Sequence, residues 1–149
     1  MTRLATALSG VARIGLDTAP IIYYIEEHPV YLPVIAQIFA QIDTGSLSAV
    51  TSTITLAEVS VMPLRQNRPE LQQQYQTLLL QSANFEFVSI DTALAQTGAS
   101  LRAKFNIRLP DALQIAAAMT TGCEAFLTND DGLKRVTGIR VLVVSELEI

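Results

Sequence analysis

Short apolar runs rich in β-branched residues alternate along the chain with stretches at helical spacing, and this alternation restricts the fold more than any other feature. A strand over 13–17 is followed by Thr18, a candidate N-cap, and by Pro20 where an early helical turn tolerates it. The helix runs to about Glu27, and His28-Pro29 breaks it. Val34, Ile35, Ile38, Phe39 and Ile42 mark a second helix over 31–43, closed by Gly45. Next come a buried strand over 47–51 and a helix over 54–62, capped by Ser52 or Thr53 and ended by Pro63. A helix over 70–82, a strand over 85–90 and a helix from the cap Asp91 to Phe105 follow. Pro110 opens a helix over 111–121 that Gly122 stops. A strand over 125–128, a short helix or turn over 131–136 and a strand over 140–144 complete the pattern. Strands alternating with helices argue a parallel or mostly parallel sheet covered on both faces. Ligands bind beyond the carboxyl ends of such strands, here after Asp17, Thr51, Ile90, Thr128 and Val144.

The 149 residues suit one domain, and no linker, repeat or low-complexity tract divides them. Half the residues are hydrophobic and 16% are charged, which excludes a disordered chain or a coiled coil. No apolar run approaches the ~18 residues of a spanning helix, and residues 1–16 hold no secretory h-region. A single cysteine, Cys123, allows no internal disulfide, so a cytoplasmic protein without a membrane association is expected. The net charge of −4 argues against a general nucleic-acid coat. It leaves room for a nuclease that meets its polyanion through a cation and a local basic edge.

The acids that remain are isolated in apolar surroundings. Asp17 is the only charge between Ile14 and Ile25, and Glu58 the only one from Thr44 to Leu64. Asp111 stands alone between Leu109 and Cys123, while Asp130 and Asp131 directly follow the strand over 125–128. Each has a purely structural reading: Asp17 as a helix cap, Asp111 as a dipole partner, Asp130 and Asp131 as turn residues. Glu58 has no such partner nearby in sequence. Together they fall where one end of a sheet would gather them. Carboxylates in apolar segments resist ionisation and repel one another, and a divalent cation resolves both problems. His28 is the only histidine, so an all-oxygen site for Mg²⁺ or Mn²⁺ is favoured over zinc.

Four segments in this order resemble the PIN domain, and within it the VapC-type toxin ribonucleases. They are Ile14-Gly15-Leu16-Asp17-Thr18, the run Thr51–Val59 around Glu58, the run Arg108–Ala116 around Asp111, and the run Ala125–Asp130. The resemblance spans roughly residues 13–147. It implies a three-layer α/β/α fold with a central mostly parallel sheet, preceded by an extension, residues 1–12, of no assigned role. It further implies a Mg²⁺- or Mn²⁺-dependent endoribonuclease that hydrolyses RNA by activated water, the toxin of a toxin–antitoxin pair. Asp17 and Asp111 would be the principal metal ligands, with Glu58 and Asp130 completing the pocket; adjacency leaves Asp131 open as the fourth acid. Thr128 resembles the hydroxyl beside that acid, and Ser52 a hydroxyl that supports the pocket. A cognate antitoxin and a homodimer through the early helices belong to the same expectation. The alternative is a PIN-like domain that no longer cuts and serves as a protein- or RNA-binding module. Arg102, Lys104, Arg108, Lys134 and Arg135 flank the acids and form either a phosphate-facing edge or a solvated one.

Overall fold

The computed structural model describes all 149 residues. Five strands build one sheet: β2 (Arg13–Leu16), β3 (Ser48–Ser52), β4 (Phe85–Val88), β5 (Ala125–Thr128) and β6 (Arg140–Val143). Their order is β4-β3-β2-β5-β6, and every neighbouring pair is parallel, so the sheet is wholly parallel. Two strands of two residues each, β1 (Thr2–Arg3) and β7 (Leu147–Glu148), pair separately. The helices are α1 (Leu4–Ala7), α2 (Thr18–Ile25), α3 (Leu32–Thr44), α4 (Thr53–Arg65), α5 (Pro69–Gln81), α6 (Thr92–Phe105) and α7 (Leu109–Thr120).

Alternation along each strand divides the core in two, because successive side chains point to opposite faces. Ile14, Leu16, Ala49, Ala125 and Leu127 pack with Ile21, Ile35, Ile38, Phe39, Tyr75 and Leu79 from α2, α3 and α5. Val50 and Phe126 face the other way, onto Ala112, Ile115 and Ala118 of α7. A three-layer α/β/α arrangement results. Gly15 sets how closely α7 lies on the sheet, since a Cβ there would come within 2.5 Å of the Ala118 Cβ.

Several expectations need correction. Pro63 does not end α4, which runs on to Arg65 with the proline buried inside it. Pro63 is buried where α4 packs on α5, and it lines a groove shared with Leu71 and Tyr75 of α5, so burial of the ring is set against the one backbone bond a proline forfeits. Asp17, not Thr18, caps α2 by accepting from Thr18 N. Gly45 (φ 85°) closes α3 and Asp91 caps α6, as the sequence predicts. Residues 1–12 are woven into the fold: Leu4, Ala7, Leu8 and Val11 join the larger core, and Arg140 Nη1 donates to the carbonyls of Ala7 and Ser9. No helix is long and apolar enough to cross a membrane.

Candidate active site

Parallel strands deliver their carboxyl ends to one edge of the sheet, and the loops there carry the isolated acids. Asp17 follows β2. Its backbone N–H donates to Leu127 O on β5, and its carboxylate accepts from Thr18 N through Oδ1 (2.8 Å) and from the Thr128 hydroxyl through Oδ2 (2.8 Å). The residue is 9% exposed. Its carboxyl is pushed up to about 6 from the ordinary 3.8, chiefly by burial and in smaller part by Asp111 and Glu58, while the hydrogen bonds from Thr128 and Thr18 pull it down.

Asp111 sits in the first turn of α7, half-buried, and is also held above the ordinary carboxylate range. Burial is the main cause. The Arg108 guanidinium opposes it, and Asp130 and Glu58 add to it. All four acids therefore lie within electrostatic reach of a common region. Asp130 accepts from Gly132 N (2.9 Å), and its own N–H donates to the Thr128 hydroxyl (3.1 Å), so one threonine braces both the first and the fourth acid. Asp130 lines a cleft with Asp111; Asp131, which begins a 3-10 turn over Asp131–Arg135, does not.

Glu58 departs from the sequence reading. Despite its apolar helix it is exposed, so desolvation gives no reason for a cation there. Its place is fixed by the Thr18 hydroxyl, which donates to Oε1 at 2.6 Å. Behind it runs a buried polar network that sequence reasoning entered only at Ser52. Ser52 accepts from Ile54 N, capping α4, and donates to Gln114 Oε1 (2.5 Å). Gln114 Nε2 in turn reaches the Thr55 and Thr18 hydroxyls. Gln114 and Thr55 escape the sequence reading, and Thr18 enters it only as a candidate helix cap, because uncharged polar residues in a helix read as a wet face. The available signal was that Gln114 lies three residues after Asp111, on the same face of α7.

The basic residues separate. Arg108 and Arg135 line the cleft of about 160 Å³ that also holds Asn106, Ile107, Asp111, Asp130, Gly132 and Leu133. Arg102 instead donates to Ile107 O, Lys104 lies over the Phe105 ring, and Lys134 pairs with Glu146. The expected five-residue edge thus reduces to two arginines. Tyr24 stacks on Phe39, and Tyr23 packs beside His28 and Tyr31, so this aromatic pair belongs to the packing of α2 on α3.

No three of the acids converge closely enough to make a ready cation cage. The oxygen donors suit a hard divalent ion held by one or two carboxylates and completed by water, the usual manner of Mg²⁺. Asp17, buried among other acids and reluctant to ionise, is the group such an ion would relieve most.

A family model described as the PIN domain matches residues 14–139. The chain belongs to the PIN domain family. Among solved structures, the PIN chain shares its fold with VapBC2 from Rickettsia felis bound to a DNA fragment from its promoter (TM-score 0.67, 19% identity, 88% of this chain and 98% of that one). It is similarly related to a toxin–antitoxin complex from Klebsiella pneumoniae (0.63, 22%, 89% and 97%). A third likeness is to VapC20 of Mycobacterium tuberculosis, described as a sarcin–ricin-loop-cleaving toxin (0.65, 13%, 82% and 93%). No curated protein matches the chain in sequence.

Proposed function

We propose that this PIN domain is a divalent-cation-dependent endoribonuclease, acting in the cytoplasm as the toxin of a toxin–antitoxin pair. The observation that carries the reading is that Asp17, Glu58, Asp111 and Asp130, on four separate elements, lie within electrostatic reach of a common region at one end of the sheet. Asp17 and Asp111 would hold Mg²⁺ or Mn²⁺, with Glu58 and Asp130 reaching it directly or through water. When bound, the cation supplies a Lewis acid for the phosphate and lowers the pKa of an attacking water.

The chain's own residues do the positioning. Thr128 and the N-terminal turn of α2 hold both oxygens of Asp17 in one orientation, and Asp130 is fixed by the turn that follows it. Thr18 aims the Glu58 carboxylate, backed by Gln114, Thr55 and Ser52. Preorganised groups of this kind spare the reaction the cost of reorienting dipoles. Ser52 and Thr128 serve as positioning residues, since both hydroxyls are already engaged within the chain.

An antitoxin that covers the acidic end, and a homodimer through α2 and α3, complete the proposal. The VapBC complexes among the structural relatives support the first, and light scattering of the purified chain tests the second. The deciding experiment incubates folded protein with total cellular RNA in Mn²⁺ and in chelator, beside Asp111→Asn. Discrete Mn²⁺-dependent fragments that vanish in the variant establish the nuclease. Intact RNA in every lane would overturn it in favour of a non-cutting binding module.

A further inference from the structure

The cleft beside the acids carries charge of both signs. Asp111 and Asp130 supply its carboxylates, and Arg108 and Arg135 its guanidinium groups, with Arg108 close enough to hold down the Asp111 carboxyl. The chain makes only two ion pairs, Arg13–Glu86 and Lys134–Glu146, so neither cleft arginine is neutralised by a carboxylate contact. Arg108 is exposed, and its guanidinium makes no hydrogen bond or ion pair within the chain. Arg135 is held differently. Its Nε donates to Gly132 O (2.9 Å) and its Nη1 to Asn106 O (3.3 Å), which holds the guanidinium in place at the cleft while Nη2 stays unengaged.

A prepositioned arginine beside a free one suits a tetrahedral oxyanion, because guanidinium groups donate in a planar fork that matches phosphate oxygens. The cleft volume of about 160 Å³ is large enough for one phosphodiester group. Resting on the nuclease reading, we propose that Arg108 and Arg135 form a subsite for an RNA backbone phosphate next to the one that is cut. The acids would address the scissile phosphate, and the arginines would hold its neighbour and so fix the strand's register. Arg102, Lys104 and Lys134 take no part, since each is committed elsewhere. Contacts of this type position the strand without reading its sequence.

The test is fluorescence anisotropy of a labelled single-stranded RNA oligonucleotide, titrated with protein in chelator across a series of salt concentrations. Each phosphate contact on a single strand contributes about 0.7 to the slope of log K against log salt. The double variant Arg108→Ala/Arg135→Ala is expected to bind more weakly, with a slope lower by about 0.7. Arg102→Ala serves as the control and should leave the slope unchanged. Loss of Arg135 also removes two bonds to backbone carbonyls, so Arg108→Ala, which breaks no internal bond, is the decisive single change. It should weaken binding at an unchanged melting temperature, and Arg108→Lys should restore most of the slope.

Unchanged affinity in Arg108→Ala with an unchanged slope in the double variant, or an equal fall in Arg102→Ala, overturns the subsite. The two readings fail separately. RNA cutting without arginine dependence removes the subsite alone, whereas arginine-dependent binding without any cutting removes the nuclease alone. A DNA strand of the same sequence, bound with the same arginine dependence, would show that the subsite reads the phosphate and not the sugar.

Discussion

Replacing Asp17 by Asn should stabilise the cation-free protein, and the gain should depend on pH. The folded-state carboxyl is raised to about 6 from about 3.8, so folding costs about 3 kcal/mol once the group is fully ionised. Because the folded value is the higher one, the folded state binds the extra proton between these two values. Stability from this group is therefore complete below about pH 4 and is lost as pH rises through about 6. Asparagine keeps the α2 cap well, and its amide still has the Thr128 hydroxyl as a partner. Allowing for one weakened hydrogen bond of about 1 kcal/mol, the net gain near pH 8 is roughly 2 kcal/mol. At about 2–4 °C per kcal/mol for a chain of this size, the melting temperature should rise by roughly 4–8 °C. Thermal unfolding in chelator, followed by circular dichroism near pH 4 and near pH 8, measures it. A variant less stable than the parent at both pH values, by the same amount, would refute the electrostatic reasoning and leave Asp17 as a cap only.

Further outcomes are expected. Millimolar Mg²⁺ or Mn²⁺ should raise the melting temperature of the parent but not of Asp17→Asn, because only the parent gains relief from the ion. Asp111→Asn should abolish RNA cleavage in gel assays while circular dichroism shows an intact fold; a melting temperature lower by many degrees would mark the residue as structural. Gln114→Leu leaves the Ser52 and Thr55 hydroxyls short of a buried partner and should cost about 1–3 kcal/mol in urea unfolding. Gly15→Ala forces a methyl against Ala118 and should cost a similar 1–3 kcal/mol by the same assay.

The parallel sheet was legible because the period of the apolar pattern switches cleanly between strand and helix. The four acids stood out for a related reason: a charge in an apolar run is conspicuous in one dimension. What the chain could not display is partnership. Gln114 looks like any polar helix residue until α7 lies against β3 and α4, where its amide meets three hydroxyls from distant segments. Glu58 misled in the opposite sense, since its apolar neighbours in sequence are not its neighbours in space. Pro63 misled because a rule about local backbone says nothing of where the ring is buried, and here α4 carries it inside the fold and runs on to Arg65. The first twelve residues carry too short a pattern to announce two strand residues and one helical turn, which depend on β7 and Arg140 for support.

The hydroxyl that grips Asp17 lies 111 positions further along the chain. A polypeptide emerging from the ribosome presents its first carboxylate early, yet β2 waits for β5 to take its place on one side. Until then Asp17 has no Thr128, Asp111 has no Asp130, and the cleft has no Arg135. Closure over such long spans is slow to nucleate. The order of synthesis therefore works as a delay: the end of the sheet that gathers the acids comes into being last.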